Sequence, residues 1–160
     1  MTNETGSKAK TNAVAKMRSD LEKAAEGLTH TSESDYPYLF FTLPIWDQSG
    51  LNTDGFLRSL GVSQAFVDDV SLPVDKLIEE SKLENFLPSI DDLADRSGTD
   101  TKDPEVLALS KRFRKLEAVL RKHLGDVKVF RVGQVEISCF IVGRDKSGNF
   151  AGLVTTSIET

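Results

Sequence analysis

The chain has 160 residues, of which 39% are hydrophobic and 9 are Phe, enough for the core of one domain. Its net charge of -5 argues against a general nucleic-acid binder, which needs clustered Lys and Arg, and suits a partner with a basic surface. The single cysteine, Cys139, excludes an internal disulfide and is expected to be a small core residue in a strand.

The N-terminal segment has no apolar run of the kind found in signal peptides or membrane spans, and we expect a cytoplasmic protein. Residues 1–11 are polar with nothing to bury, so we predict a disordered tail before a domain over 12–160. Asn12 is a candidate N-cap for a first helix that ends near Gly27. The apolar residues of this helix recur at three- and four-residue steps: Val14, Met17, Leu21, Ala24 and Leu28.

A polar loop over Thr29–Asp35 follows, and Pro37 must lie at a strand start or a sheet edge because it cannot donate a ladder hydrogen bond. Tyr38–Leu43 is predicted to be an apolar strand, and its lack of alternation favours burial on both faces. Pro44–Asn52 is a predicted loop that holds Trp46, the single tryptophan of the sequence.

The middle of the chain gives weaker signals. Two short helices are predicted, one over residues 55–60 and one over residues 76–82. Residues 83–102 combine an acidic run with a turn-rich segment, which predicts a mobile loop with one helical turn at Ile90–Ala94.

A long helix is predicted to begin at Asp103-Pro104-Glu105. Asp is a good N-cap, Pro suits the first helical position, and Glu complements the positive end of the helix dipole. We expect the helix to end at Gly125. Its apolar stripe is Val106, Leu109, Phe113, Leu116, Leu120 and Leu124.

The last third of the chain, Val127–Thr160, has strong β character, with turns at Gly133-Gln134 and at Asp145–Asn149. This pattern predicts a three-stranded antiparallel meander that stops close to Glu159-Thr160. Helices before and between the strands then predict an α+β domain. We expect a single α/β/α sandwich with a mostly antiparallel sheet and helices on its faces.

Local evidence for catalysis is weak. His30 and His123 are far apart, and neither has a His or Cys neighbour at metal-ligand spacing. The sequence contains no Gly-rich phosphate loop and no G-x-S-x-G motif. We therefore expect no cofactor or metal of its own.

Two polar features remain. The loop Ser32-Glu33-Ser34-Asp35 is either a connector with local hydrogen bonds or an acidic segment that imitates a phosphate to a basic cleft. Glu159-Thr160 is either simply where the chain stops or a carboxylate and hydroxyl that can bind a hard cation such as Mg²⁺. The residues alone leave these alternatives open.

Both ends of the chain carry longer motifs. Leu21–Tyr38 is a helix followed by SESDYP, and Phe113–Thr160 contains VFRVGQVE, a later GNFAG and a final ET. These stretches resemble the NuiA-like family of inhibitors of sugar-non-specific nucleases. The resemblance implies an α/β/α sandwich that blocks the active site of a Mg²⁺-dependent DNA/RNA endonuclease. It also implies an inhibitor and not a catalyst. We expect a monomer that forms a one-to-one complex, with no direct contact to nucleic acid or membrane.

The resemblance also implies roles for particular residues. Glu33 would enter the nuclease cleft in place of the charge of the scissile phosphate. The hydroxyl of Thr160 would reach the catalytic Mg²⁺ of the nuclease, so that the partner's metal would bridge the complex. The predicted partner-binding set is Ser32, Glu33, Ser34, Asp35, Glu159 and Thr160.

The middle of the chain departs from the family pattern. The family has an Asp-Trp pair in the loop before the long helix, which makes a second contact, but Asp95–Asp103 contains no Trp. One alternative is therefore a non-catalytic interaction domain that keeps the fold without inhibiting a nuclease. Another is a small enzyme with a site around His30, Glu33 and Asp35.

Overall fold

The computed structural model describes residues 2–43 and 78–160. In chain order the first elements are helix α1 (Thr2–Ala25), strands β1 (Thr29–Thr31), β2 (Asp35–Pro37), β3 (Leu39–Leu43) and β4 (Ile78–Ser81), and helices α2 (Leu83–Phe86), α3 (Ile90–Ser97) and α4 (Pro104–His123). The remaining elements are strands β5 (Gly125–Val132), β6 (Glu136–Arg144) and β7 (Phe150–Ile158).

The main sheet has the strand order β3-β7-β6-β5-β4, and every neighbouring pair in it is antiparallel. Strands β5, β6 and β7 form the predicted meander, and β1 pairs with β2 in a separate hairpin. At Gly152, β7 lies so close to β6 that an added Cβ would fall 1.8 Å from the carbonyl oxygen of Ile141. The predicted α+β class with a mostly antiparallel sheet is therefore confirmed.

Helices α1 and α4 pack together on one face of the sheet. Leu21 of α1 and Leu120 of α4 are fully buried in one core with Val129 and Ile141 of the sheet. The predicted start of α4 is confirmed, since the Asp103 side chain accepts hydrogen bonds from two backbone N–H groups of the first turn. No helix among the described residues is long and apolar enough to cross a membrane. The cytoplasmic location stays a prediction.

A second cluster lies on the opposite face of the sheet. Phe130, Val142 and Phe150 are buried there, with Phe41 and Phe140 packed against them. Alternation along the strands separates this cluster from the first, because successive side chains of a strand point to opposite faces.

Two predictions in the first half of the chain are wrong. Helix α1 begins at Thr2, so Asn12 is not its N-cap and the segment predicted to be disordered is helical. A helix already nucleated extends at low cost, because each added residue gains a backbone hydrogen bond. Strand β3 is not buried on both faces, because Leu39 is 60% exposed. The domain boundary at residue 12 stays a prediction.

Two further predictions, in the middle of the chain, are also wrong. Strand β4 replaces the end of the helix predicted over 76–82, because pairing with β5 overrides a weak local helix signal. Residues 83–102 contain α2 and α3 where a mobile loop was expected, but the helical turn predicted at Ile90–Ala94 is confirmed as part of α3. Ser89 and Asp92 form a capping box that starts α3, and Gly98 ends it with a left-handed backbone. Trp46, its loop and the helix predicted over 55–60 lie outside the described residues.

Leu120→Ala should destabilise the protein by about 2–5 kcal/mol, because it leaves a cavity under α4 where the side chain is fully buried. Leu107→Ala on the same helix removes a 40% exposed side chain and should change the free energy of unfolding by less than about 0.5 kcal/mol. Urea denaturation of the two variants checks this. Equal losses would contradict the packing described.

Candidate functional site

The hairpin β1–β2 packs against the second half of β7. The Thr155 hydroxyl donates to the carbonyl oxygen of Tyr36 at 3.3 Å. The backbone N–H of Ile158 donates to the Ser32 hydroxyl oxygen at 2.9 Å, and the N–H of Glu33 donates to the Ile158 carbonyl oxygen at 3.3 Å. The loop of the hairpin is therefore bonded to the end of β7.

The loop between β1 and β2 is also held from within. Both the backbone N–H and the hydroxyl of Ser32 donate to the carbonyl oxygen of Ser34, at 3.1 and 3.2 Å. Ser32 is thus a donor within the loop and an acceptor from β7. Glu33, Ser34 and Asp35 are exposed. The loop presents these side chains to solvent from a backbone that is fixed at both ends.

Glu33 and Thr160 are in direct contact although 127 positions separate them in sequence. The Thr160 hydroxyl donates to Glu33 Oε1 at 2.6 Å, and the Thr160 backbone N–H lies 3.4 Å from the same oxygen. Both residues are exposed. Because a hydroxyl has one proton and two lone pairs, donation to Glu33 leaves the Thr160 oxygen able to accept a bond or bind a cation.

Glu159 is bonded through both its backbone and its side chain. Its N–H donates to the Val135 carbonyl oxygen at 2.9 Å, which ties it to the β5–β6 turn. Its carboxylate accepts a hydrogen bond from the Arg131 guanidinium, which also donates to Glu79 Oε2 at 3.3 Å. Burial alone would lower the pKa of Arg131, but the hydrogen bond and charge of Glu159 outweigh it and the pKa is raised. Arg131 therefore stays charged.

The sequence interpretation did not identify Arg131 as part of this site. The signal available was its place in β5, where strand alternation puts a charged residue on the same face as Val127 and Val129. A charge on the face that packs against the helices needs a partner. Its partner Glu79 lies on β4, and its partner Glu159 lies just beyond the end of β7. Both are far from Arg131 in sequence, so local spacing could not identify them.

His30 joins the hairpin to α2. Its ring stacks on Phe86, with centroids 4.8 Å apart and an interplanar angle of 13°. Burial lowers the pKa of His30, and the charges of Arg96 and Arg131 lower it further. No hydrogen bond among the described residues joins His30 to Glu33 or Asp35. The structure therefore gives no support to a catalytic site built from those three residues.

The exposed groups at this end of the sheet are mainly acidic oxygens. Glu33 contacts Thr160, and Glu159 precedes it in the chain. Asp35 lies in the same hairpin as Glu33, and Glu136 pairs with Ile158 at the end of β7. Within the described ranges no group of three or more His, Cys, Asp or Glu residues could hold a metal ion. The Thr160 hydroxyl, which keeps its lone pairs, is an oxygen of the kind that hard cations bind.

Comparison with protein families gives one match. The model of a family described as nuclease A inhibitor-like protein matches residues 15–160, which include both parts of the site. Comparison with curated proteins gave no match.

Ser32→Ala should loosen the contact between the loop and β7, because it removes the acceptor for the Ile158 N–H. We expect a loss of roughly 1 kcal/mol in the free energy of unfolding and faster amide exchange at Ile158. Ser34→Ala is the matched control, since the contact it makes uses its backbone carbonyl. Unchanged exchange at Ile158 in Ser32→Ala would rule out the role given to this hydroxyl.

The hairpin should weaken as the pH falls, because the folded state holds His30 neutral and its pKa lies below 6.5. The stability from neutral His30 is fully present above pH 6.5 and is lost as the pH drops toward the lowered pKa. Urea denaturation of wild type and His30→Gln between about pH 8 and about pH 5 measures the difference. The wild type should lose more stability than the variant over this range, and parallel curves would contradict the assignment.

Proposed function

Because the chain belongs to the nuclease A inhibitor-like family, we propose that it inhibits a Mg²⁺-dependent, sugar-non-specific DNA/RNA endonuclease by blocking its active site. The observation that carries the proposal is the contact between Glu33 and Thr160 on an exposed acidic end of the sheet. The resemblance assigns both residues to one nuclease active site, and the hydrogen bonds of their two segments to neighbouring backbone hold them together in the free protein.

The Glu33 carboxylate supplies a negative charge where a nuclease binds the phosphate of its substrate. A cleft that binds phosphodiesters is lined by cations and N–H donors, which bind a carboxylate by the same charge-assisted hydrogen bonds. Because the loop around Ser32 is held in place before binding, little conformational entropy is lost when Glu33 enters such a cleft.

The Thr160 hydroxyl supplies an oxygen to the Mg²⁺ of the partner. Mg²⁺ in nucleases keeps water ligands, and a hydroxyl oxygen can replace one of them without a change in charge. Glu33 accepts a hydrogen bond from this hydroxyl, which leaves the lone pairs of the hydroxyl oxygen for the metal. The metal belongs to the nuclease, and this chain acts by occupying the site, with no catalysis of its own.

The proposed complex contains one copy of each protein and no nucleic acid, since the same acidic surface that fits a basic cleft repels a phosphate backbone. A second candidate function is an interaction domain that keeps the fold without a nuclease partner. The observation that favours it is the segment between α3 and α4, residues 98–103, which contains no Trp at the place of the family's second contact.

Glu33→Gln should weaken inhibition roughly 30-fold or more, because it removes the charge that the cleft binds. Deletion of Thr160 should weaken inhibition to a similar extent, and Thr160→Ser, which keeps a hydroxyl, should retain most of it. Plasmid digestion by a non-specific Mg²⁺-dependent nuclease, with increasing amounts of each variant, measures these inhibition constants.

The matched control is Asp126→Asn, which removes one exposed negative charge at the opposite end of the sheet. Asp126 has φ 51°, a conformation that Asn also adopts readily. This variant should inhibit like the wild type. If the Thr160 deletion variant inhibits as strongly as the wild type, Thr160 is not a ligand of the metal. If the wild type slows none of the nucleases tried, the interaction domain is favoured.

A further inference from the structure

The backbone that carries Thr160 lies beyond the last strand of the sheet. Strand β7 ends at Ile158, so the ladder between β6 and β7 does not include Glu159 or Thr160. Among residues 2–43 and 78–160, the Glu159 backbone makes one hydrogen bond, to Val135, and the Thr160 backbone makes a long one, to the Glu33 side chain. The Glu159 side chain therefore provides a large part of the attachment.

Arg131 is the residue to which that side chain is attached. It lies in β5 with Glu79 of β4 on one side and Cys139 of β6 on the other, as direct partners in the ladders. Its side chain is 21% exposed, and its guanidinium binds the carboxylates of both Glu79 and Glu159. The two carboxylates bind different nitrogens, Nη1 and Nη2, and together they restrict the guanidinium to which Glu159 is bound.

The ion pair with Arg131 changes the effect of the Glu159 charge on the site in two ways. Glu33 and Glu159 bring two negative charges close to Thr160, and like charges repel unless a cation neutralises one of them. A free carboxylate is also a better Mg²⁺ ligand than a hydroxyl, so an unbound Glu159 would compete with its neighbour Thr160 for a metal.

We propose that Arg131 is a positioning residue for the Glu33–Thr160 site: by binding Glu159 it fixes the backbone that carries Thr160 and removes a competing carboxylate. The surface presented to the partner is then the Glu33 carboxylate and the Thr160 hydroxyl. The expected effect of Arg131 on inhibition rests on the proposed function. Its expected effect on the mobility of Thr160 is a property of the free protein and can be measured without a nuclease.

The experiment is a double-mutant cycle with Arg131→Gln, Glu159→Gln and both changes together. Arg131→Gln should weaken inhibition of a non-specific Mg²⁺-dependent nuclease on the order of tenfold, the effect of losing one charge-assisted hydrogen bond. Glu159→Gln should change it less than about threefold, since the amide oxygen of Gln can still accept a hydrogen bond from Arg131 and the uncharged side chain does not compete for the metal. The double variant should inhibit better than Arg131→Gln, because the unbound carboxylate is gone.

The matched control is Arg121→Gln. Arg121 forms ion pairs with Glu84 and Glu117 on the surface of α4, so the control makes the same change in net charge at another ion pair. It should inhibit like the wild type. Urea denaturation of every variant shows whether a loss of inhibition follows a loss of fold.

An Arg131→Gln variant that inhibits like the wild type would overturn the positioning role, and a double variant as weak as Arg131→Gln would overturn the part given to the competing carboxylate. NMR relaxation of the Thr160 amide in the uncomplexed proteins tests the positioning role without a nuclease, and so separates its failure from a failure of the proposed function. Greater mobility of Thr160 in Arg131→Gln than in Arg121→Gln supports the positioning role even if no nuclease is inhibited. Equal mobility in these two variants contradicts it.

Discussion

The structure depends on the hydrogen bonding of β7 along both of its edges. One edge pairs with β6 over the whole strand, from Phe150 to Ile158. The other edge pairs with β3 only as far as Val154, where β3 begins at Leu39. From Thr155 onward the β1–β2 hairpin takes over this second edge, although through side-chain and single backbone bonds and not as a regular ladder. Each part of the Glu33–Thr160 site is thereby attached to one strand.

This arrangement explains how exposed residues can be held in place. Side chains on a surface loop ordinarily lose entropy when they bind, and much of the contact energy is spent on that loss. Here the loop that carries Glu33 is bonded through Ser32 to the same strand end that leads to Thr160. The two groups also restrain each other through the hydroxyl-to-carboxylate bond. An exposed pair with this much support is suited to recognition of a rigid cleft.

The sequence was informative where structure is local and uninformative where it depends on distant partners. The meander and the start of α4 at Asp103 follow from alternation and capping, which a window of a few residues contains. The capping box at Ser89 follows the same rules, but it lies in a run of acidic and turn residues, which led to the prediction of a loop. Strand β4 and the bonds of Arg131 depend on residues far away in sequence, which periodicity cannot reach. The contact of Glu33 with Thr160 could be anticipated from the family resemblance but from no spacing rule.

The strand order β3-β7-β6-β5-β4 has a consequence for how the molecule folds. The pairs β5–β6 and β6–β7 join neighbours in sequence, so their loops are short and their closure costs little entropy. The pair β3–β7 joins Leu39 to Val154 and closes a loop of most of the chain, so we expect it to form later. Until then β7 has an open edge that can pair with another chain. The Glu33–Thr160 contact joins the same two parts of the chain, so we expect the site to form together with this pairing and not before it.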